Sequence, residues 1–237
     1  MPSPSLVEAA ALSLPELVYR ELRNAILNGV FAPGQMLRQE EVAAKMGVSR
    51  GPLREALPRL EAEGLVVLQP RKGYAVAELD PEQIREVFDL RIKLETDIAA
   101  RAIKRRTPDD IAKVRQLVEQ MHQTSAQRTD SEALADWFEL NANFHRAMLD
   151  PAGMPHHMRA VETARGIIEI YVRAELRLTG ALNLAQDEHA ELAQAFVDGD
   201  EKKFVALTRE HSQHSRDRLL ARFRKQSPTQ LAASAAR

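Results

Sequence analysis

The stretch LRQEEVAAKMGVSRGPLREALPRLEAEGLVVLQPRKGYAVAEL (37–79) decides the fold of the first part of the chain. Gly47 can adopt the left-handed conformation that ends one helix, and Ser49 can cap the next. Two short helices, around 39–46 and 50–63, therefore meet at a tight corner. Val42, Ala43, Val48, Leu53, Ala56, Leu57 and Leu60 are the apolar residues available to pack them together. Two strand-like runs, 65–69 and 74–77, follow, separated by the turn sequence Pro70-Arg71-Lys72-Gly73. Upstream, 16–27 reads as a helix closed by Asn28-Gly29, with Pro33-Gly34 as a turn. Helix, helix, helix and hairpin is the order of a winged helix-turn-helix.

Beyond Asp80-Pro81, itself a turn and helix start, the pattern changes to long amphipathic helices. They are predicted over 81–105, 108–125, 130–149, 156–179, 184–198 and 200–224. Breaks fall at Thr107-Pro108, Pro151-Ala152-Gly153, Gly180 and Gly199-Asp200. The fold class is mainly α. A flexible arm (1–14) precedes a winged helix-turn-helix DNA-binding domain (15–78), then come an all-α antiparallel bundle (79–225) and a flexible tail (226–237).

Composition narrows the function. The 237 residues contain no cysteine, which excludes disulfides, thiolate metal sites and cysteine nucleophiles and fits a reduced cytoplasm. No apolar run approaches the ~20 residues that span a bilayer, and 1–14 lacks the basic end of a secretory signal, so a cytoplasmic protein without membrane contact is expected. With 33 Lys plus Arg against 34 Asp plus Glu, the net charge is −1. Any contact with nucleic acid must come from local placement of charge.

Arg50 and Arg54 lie four apart at the start of the second helix of the corner, the end that a recognition helix inserts into a major groove. Arginine offers paired donors to guanine or phosphate, which makes these two the base-reading candidates. Arg71 and Lys72 at the hairpin tip suit backbone or minor-groove contact. Taken singly, each would pass for an ordinary surface cation; the ordered set of corner, capped helix and basic tip points to DNA. Pro58, inside the second helix, removes a hydrogen bond, so a kink is expected there.

Seven histidines occur. At 100° per residue, His145 lies within about 60° of Phe138, Asn141, Met148 and Leu149. His189 shares a stripe with Leu182, Ala185, Ala193 and Phe196, and His211 with Phe204 and Leu207. Three helices thus each turn one histidine toward the core. A lone buried histidine is usually a hydrogen-bonded core residue, but three converging ones each need a partner, and a shared divalent metal, Zn²⁺ or Ni²⁺, satisfies all three. Asn141, one turn before His145, can add an oxygen. His214 is the nearest rival to His211, while His122, His156 and His157 read as surface residues. The +2 charge of such a site attracts an anion. Arg91, mid-stripe among Ile84, Val87, Phe88, Leu94 and Ile98, either contacts that ligand or pairs with Glu95 one turn later.

The stretch 37–79 resembles the DNA-binding domain of the GntR family of bacterial transcription regulators, above all in Gly-Val-Ser-Arg, Leu-Arg-Glu-Ala-Leu and Leu-Glu-Ala-Glu-Gly-Leu-Val. The helical half is similar to the FCD effector domain of the FadR-type branch, through Val87-Phe88-Asp89-Leu90-Arg91-Ile92-Lys93-Leu94-Glu95, Asn141-Ala142-Asn143-Phe144-His145, Asp187-Glu188-His189 and Glu210-His211. The resemblance implies operator contacts from Arg50 and Arg54, and a Gly73 that lets the wing approach the DNA backbone. It implies a metal on Asn141, His145, His189 and His211, a small carboxylate effector, and a homodimer on a near-palindromic operator, most often as a repressor. Two departures stand out. Glu40 or Glu41 occupies a position where many relatives carry arginine, a contact that Arg38 could supply, and Asn141 replaces a common aspartate. The competing class is a metal-dependent hydrolase built on the three histidines, but no HExxH helix occurs and Glu188 lies about 100° round the helix from His189.

Overall fold

The computed structural model describes residues 13–127, 131–179 and 182–224; residues 1–12, Gly180 and the tail at 226–237 lie outside them. The element order is α1 (Leu14–Leu27), β1 (Met36–Leu37), α2 (Gln39–Met46), α3 (Arg50–Ala62), β2 (Val66–Gln69) and β3 (Gly73–Val76). The bundle follows as α4 (Pro81–Arg105), α5 (Pro108–Gln127), α6 (Ser131–Leu149), α7 (Pro155–Thr179), α8 (Leu182–Asp198) and α9 (Glu201–Phe223), with a 3-10 turn at Asp150–Ala152 before α7.

Helix α1 begins earlier than the pattern suggests. Ser13, read as part of the arm, caps it by accepting from the Glu16 N–H, and Pro15 occupies the first turn, where its missing donor costs nothing. Val18, Leu22 and Ile26 bury one face of the helix. At the corner Gly47 takes φ +66°, and its N–H closes back onto Ala43 and Ala44. Ser49 stands at the N-cap of α3, but its hydroxyl makes no cap bond, which corrects the capping role read from the sequence. Helix α3 continues through Pro58 without a break. Both Pro58 and Arg54, whose carbonyl the proline leaves without a donor, are exposed. Water can serve that carbonyl, so the helix is not interrupted there.

The wing is a three-stranded antiparallel sheet of order β1-β3-β2. In the hairpin, Gln69 pairs with Gly73 and Val66 with Val76. The third strand, β1, pairs Met36 with Ala75 and Leu37 with Tyr74, and was not anticipated. At the tip the Lys72 N–H donates to the Gln69 carbonyl, and Arg71 takes φ +66°.

Helix α4 starts on a full capping box, Asp80 with Gln83, and Pro81. Its buried stripe runs Ile84, Phe88, Arg91, Glu95, Ile98 and Ala102, so an ion pair sits where apolar residues would continue the 3.6-residue period. Helix α4 packs on α9 and α7, while α5 packs on α6 and α8. Trp137, Phe144, Phe196 and Phe204 are fully buried in the bundle core. Each large apolar side chain buried in this way contributes about 1.5–3 kcal/mol.

The head and the bundle share a core: Leu22, Leu53, Leu57 and Leu60 join one apolar cluster with Ile84, Phe88, Ile168 and Tyr171. Polar ties cross the same boundary. The Leu79 N–H donates to the Tyr171 hydroxyl at 2.9 Å, and Arg23 bridges Glu63 of the head, at 2.9 Å, to Glu169 of α7, at 3.1 Å. Among the described residues, no helix is long and apolar enough to cross a membrane.

Candidate metal and effector site and the DNA-reading head

The three histidines predicted to converge do so. His145 comes from α6, His189 from α8 and His211 from α9, with ring centroids 5.1, 5.1 and 4.7 Å apart. One ligand nitrogen from each lies within 4.8 Å of the others. Burial, with the nearby Arg165 charge adding to it, pushes the imidazoles of His145 and His189 well below their ordinary range; these two are held neutral, the form that binds metal. Burial lowers His211 as well, opposed by Glu188.

Unsatisfied polar atoms occur on His189 and on Asn141, which stands one turn before His145 on α6. Both ring nitrogens of His189 and the Oδ1 of Asn141 are buried and have no hydrogen-bond partner among the described residues. Buried groups of this kind are rare without a missing ligand or water. A donor set of three imidazoles and one amide oxygen suits a borderline divalent ion such as Zn²⁺ or Ni²⁺.

The carboxylate that orients the site was missed in the sequence. Glu188, which follows from α8 at a different angle from His189, reaches across to α9 and meets His211 Nδ1 at 2.7 Å, His214 Nδ1 at 2.9 Å and Arg218 at 3.2 Å. Held on Nδ1, the His211 ring keeps Nε2 available, the carboxylate–histidine arrangement typical of metal ligands. His214 is exposed and shares the Glu188 carboxylate with His211. His122 and His156 are exposed, and His157 is partly buried.

Beside the histidines lies a small cavity whose polar wall is Glu95, His145, Arg165, Thr208, His211 and Ser212; Met148, Leu149 and Leu192 close it. Arg91 does not line it. Its Nε donates to Glu95 Oε1 at 3.2 Å, the internal pairing that the sequence allowed. Arg165, which the sequence reading did not single out, donates to the same oxygen at 2.9 Å, and Ser212 donates to Oε2 at 2.9 Å. Burial alone would raise the Glu95 carboxyl, but Arg165, Arg91 and Ser212 together bring it down to about 2. The cavity thus presents a guanidinium already engaged with a carboxylate, next to a cluster of neutral imidazoles.

At the other end of the molecule, Arg50 and Arg54 are exposed on the first turns of α3. Arg50 pairs with Glu40 at 2.9 Å and Arg38 with Glu41 at 3.0 Å, so the two acidic departures hold neighbouring cations. Arg71 and Lys72 are exposed at the wing tip, and a Cβ on Gly73 (φ +98°) would meet nothing within 4 Å.

Comparison with known proteins places both halves. Residues 14–76 match the model of the bacterial regulatory proteins of the gntR family, and residues 86–214 match the FCD domain. The chain is 28% identical over 197 residues to the HTH-type transcriptional repressor GlaR of Escherichia coli, covering 81% of this chain and 90% of that one. It is 30% identical over 220 residues to an uncharacterized HTH-type transcriptional regulator in an unstable DNA locus of Streptomyces ambofaciens, covering 92% and 90%. In fold it is similar to E. coli McbR/YncC, with a TM-score of 0.74 at 24% identity over 90% of this chain and 99% of that one. The two relatives and both family models are of transcriptional regulators rather than enzymes, which sets the hydrolase alternative aside. With a helix-turn-helix head and a sensor bundle that both match, the chain belongs to the gntR family of bacterial transcriptional regulators, in the branch that carries a C-terminal FCD domain.

Proposed function

We propose that the protein is a repressor whose operator affinity is set by a small carboxylate bound beside a divalent metal in the bundle. The observation that carries this reading is the cluster of three histidines, two of them buried and one, His189, with both ring nitrogens unpartnered among the described residues, opening on a cavity that contains Arg165. His145, His189, His211 and Asn141 would hold the metal, which when bound supplies a fixed positive charge that no protein carboxylate among these four offsets. Glu188 orients His211. Arg165 offers the cavity a guanidinium for a second carboxylate, and Arg91 can join only after Glu95 releases it. Thr208 and Ser212 supply hydroxyls for further polar groups of a hydroxy acid.

At the head, Arg50 and Arg54 would read base edges, Arg38, Arg71 and Lys72 would contact phosphate, and Gly73 would let the wing approach the backbone. Membership in the family supports a homodimer on a near-palindromic operator, with one recognition helix per chain for each half-site. The effector acts only if it binds the two arrangements of the molecule differently, since equal affinity shifts no population. Two relatives named as repressors, GlaR and RspR of E. coli, support the sign of regulation.

The test is thermal melting against a panel of small hydroxy acids, sugar acids and aromatic acids, with Zn²⁺ and with chelator. The true ligand raises the melting temperature, and chelation shrinks the rise. Coincident curves with and without metal for every responsive acid would remove the metal from the sensor.

A further inference from the structure

We propose that α7 is the rod that couples the cavity to the recognition helix, and that the close contact between Gly166 and the end of α3 is its joint. This rests on the reading of the cavity as the sensor. Arg165 lines the cavity and donates to Glu95. The next residue, Gly166, seats the Glu63 backbone carbonyl so closely that any Cβ there would collide with it. Glu63 is the C-cap of α3, the helix that carries Arg50 and Arg54 at its other end. The contact is reciprocal, because a Cβ on Gly64 would collide with Ile167.

The same short segment of α7 makes the polar ties to the head. Glu169 receives Arg23, which also holds the Glu63 carboxylate, and Tyr19 donates to that carboxylate too. Tyr171 receives the Leu79 N–H at the entry to α4. From 165 to 171 a helix rises only about 9 Å, so one rigid turn and a half touches the cavity, the recognition helix, α1 and the linker. Side chains in contact can absorb a small shift by changing rotamer. A helix backbone pressed on a carbonyl cannot, so a shift of the α7 backbone at Arg165 and Gly166 must either carry α3 or part the seat. Gly166 is what makes the contact with Glu63 backbone to backbone, and Gly64 leaves room for the Ile167 side chain beside it.

A double-mutant cycle on operator affinity tests this without knowing the effector. The duplex is selected from a random pool with the parent protein, and binding is read by fluorescence anisotropy. Glu95→Gln and Ser212→Ala perturb the sensor end on α4 and α9, the first by removing the charge that Arg165 holds, the second by removing one hydrogen bond. We expect Glu95→Gln to change operator Kd about fivefold or more, the low end of coupling between distinct sites, and Ser212→Ala to change it in the same direction by less. In a Gly166→Ala background, with the seat forced apart, both changes should fall within about twofold. If Gly166 were merely structural, the background substitution would weaken binding while leaving those ratios intact, and that result overturns the proposal. So does a parent whose affinity ignores both sensor-end variants. Should Gly166→Ala fail to fold by circular dichroism, Gly64→Ala, whose Cβ would collide with Ile167 and wedge the same contact apart, takes its place with the same expectation. Failure of the carboxylate panel with an intact cycle would sink the effector reading alone, and the reverse would sink only the coupling.

Discussion

Replacing His189 with leucine should stabilise the metal-free protein, although it alters one of its most buried residues. The imidazole is 1% exposed, and neither ring nitrogen has a hydrogen-bond partner among the described residues. A neutral imidazole carries one donor and one acceptor, and each left unsatisfied in a core costs about 1–3 kcal/mol. Against this stands the loss of ring contacts with Trp137 at 5.8 Å and Phe144 at 5.3 Å, each worth about 0.5–1.5 kcal/mol. Leucine keeps most of the volume, so the net gain is about 1–2 kcal/mol, or a rise of roughly 3–6 °C for a chain of this length. Saturating metal inverts the order. The parent gains about 2.7 kcal/mol at a metal concentration a hundred times Kd, while the variant, with a ligand removed, gains little. Thermal melts of both proteins in chelator and in Zn²⁺ give the four numbers required. A variant that melts below the parent in chelator would refute the reasoning, because the imidazole would then be satisfied without metal. One that keeps the full Zn²⁺ shift would show that His189 is not a ligand.

Acid should act through Glu95. Its carboxyl is held at about 2 against an ordinary 4.5, so its contribution is complete above pH 4.5 and is lost as pH falls from there toward 2. That drop corresponds to about 3 kcal/mol. Urea melts in chelator between pH 5 and pH 3 should show the parent losing stability that Glu95→Gln does not have to lose, and parallel curves would count against it. At the head, Arg54→Ala should cost about 1–3 kcal/mol on the selected operator and relax base preference at one position. Lys72→Ala should weaken all sequences alike and lower the salt slope by about one, so equal effects of the two on preference would contradict their assignment.

Much of this architecture was legible because punctuation and period agreed. Asp80-Pro81 opens α4 and Pro108 opens α5 where the pattern placed them, and Gly47 turns the corner as expected. The histidines could be found because each sits on an apolar stripe, and stripes of neighbouring helices must face one another. What escaped was set by contacts between elements. Strand β1 is two residues long and exists only because β3 offers it an edge, so no alternation announces it. Glu188 and Arg165 lie off the apolar stripes used for the search, and their roles depend on which helix lies opposite. Gly166, in mid-helix, reads in sequence only as a weak spot of about 1 kcal/mol. Its reason appears once Glu63 is seen against it.

The ion pairs at the front of the head carry a consequence for search along a chromosome. Arg50 and Arg38 each hold a neighbouring glutamate, so a phosphate backbone must compete for cations that are already matched. Pairs this exposed are weak, worth under about 1 kcal/mol, and a correct base edge with two acceptors can displace the one on Arg50 where an arbitrary phosphate gains little. If Arg50 reads base edges as proposed, random duplex, present at about 10⁶–10⁹ positions in a genome, should retain the molecule less than its count of arginines would suggest. On the proposed assignment of the head, acidic residues that look like lost contacts would instead keep the protein free for its operator.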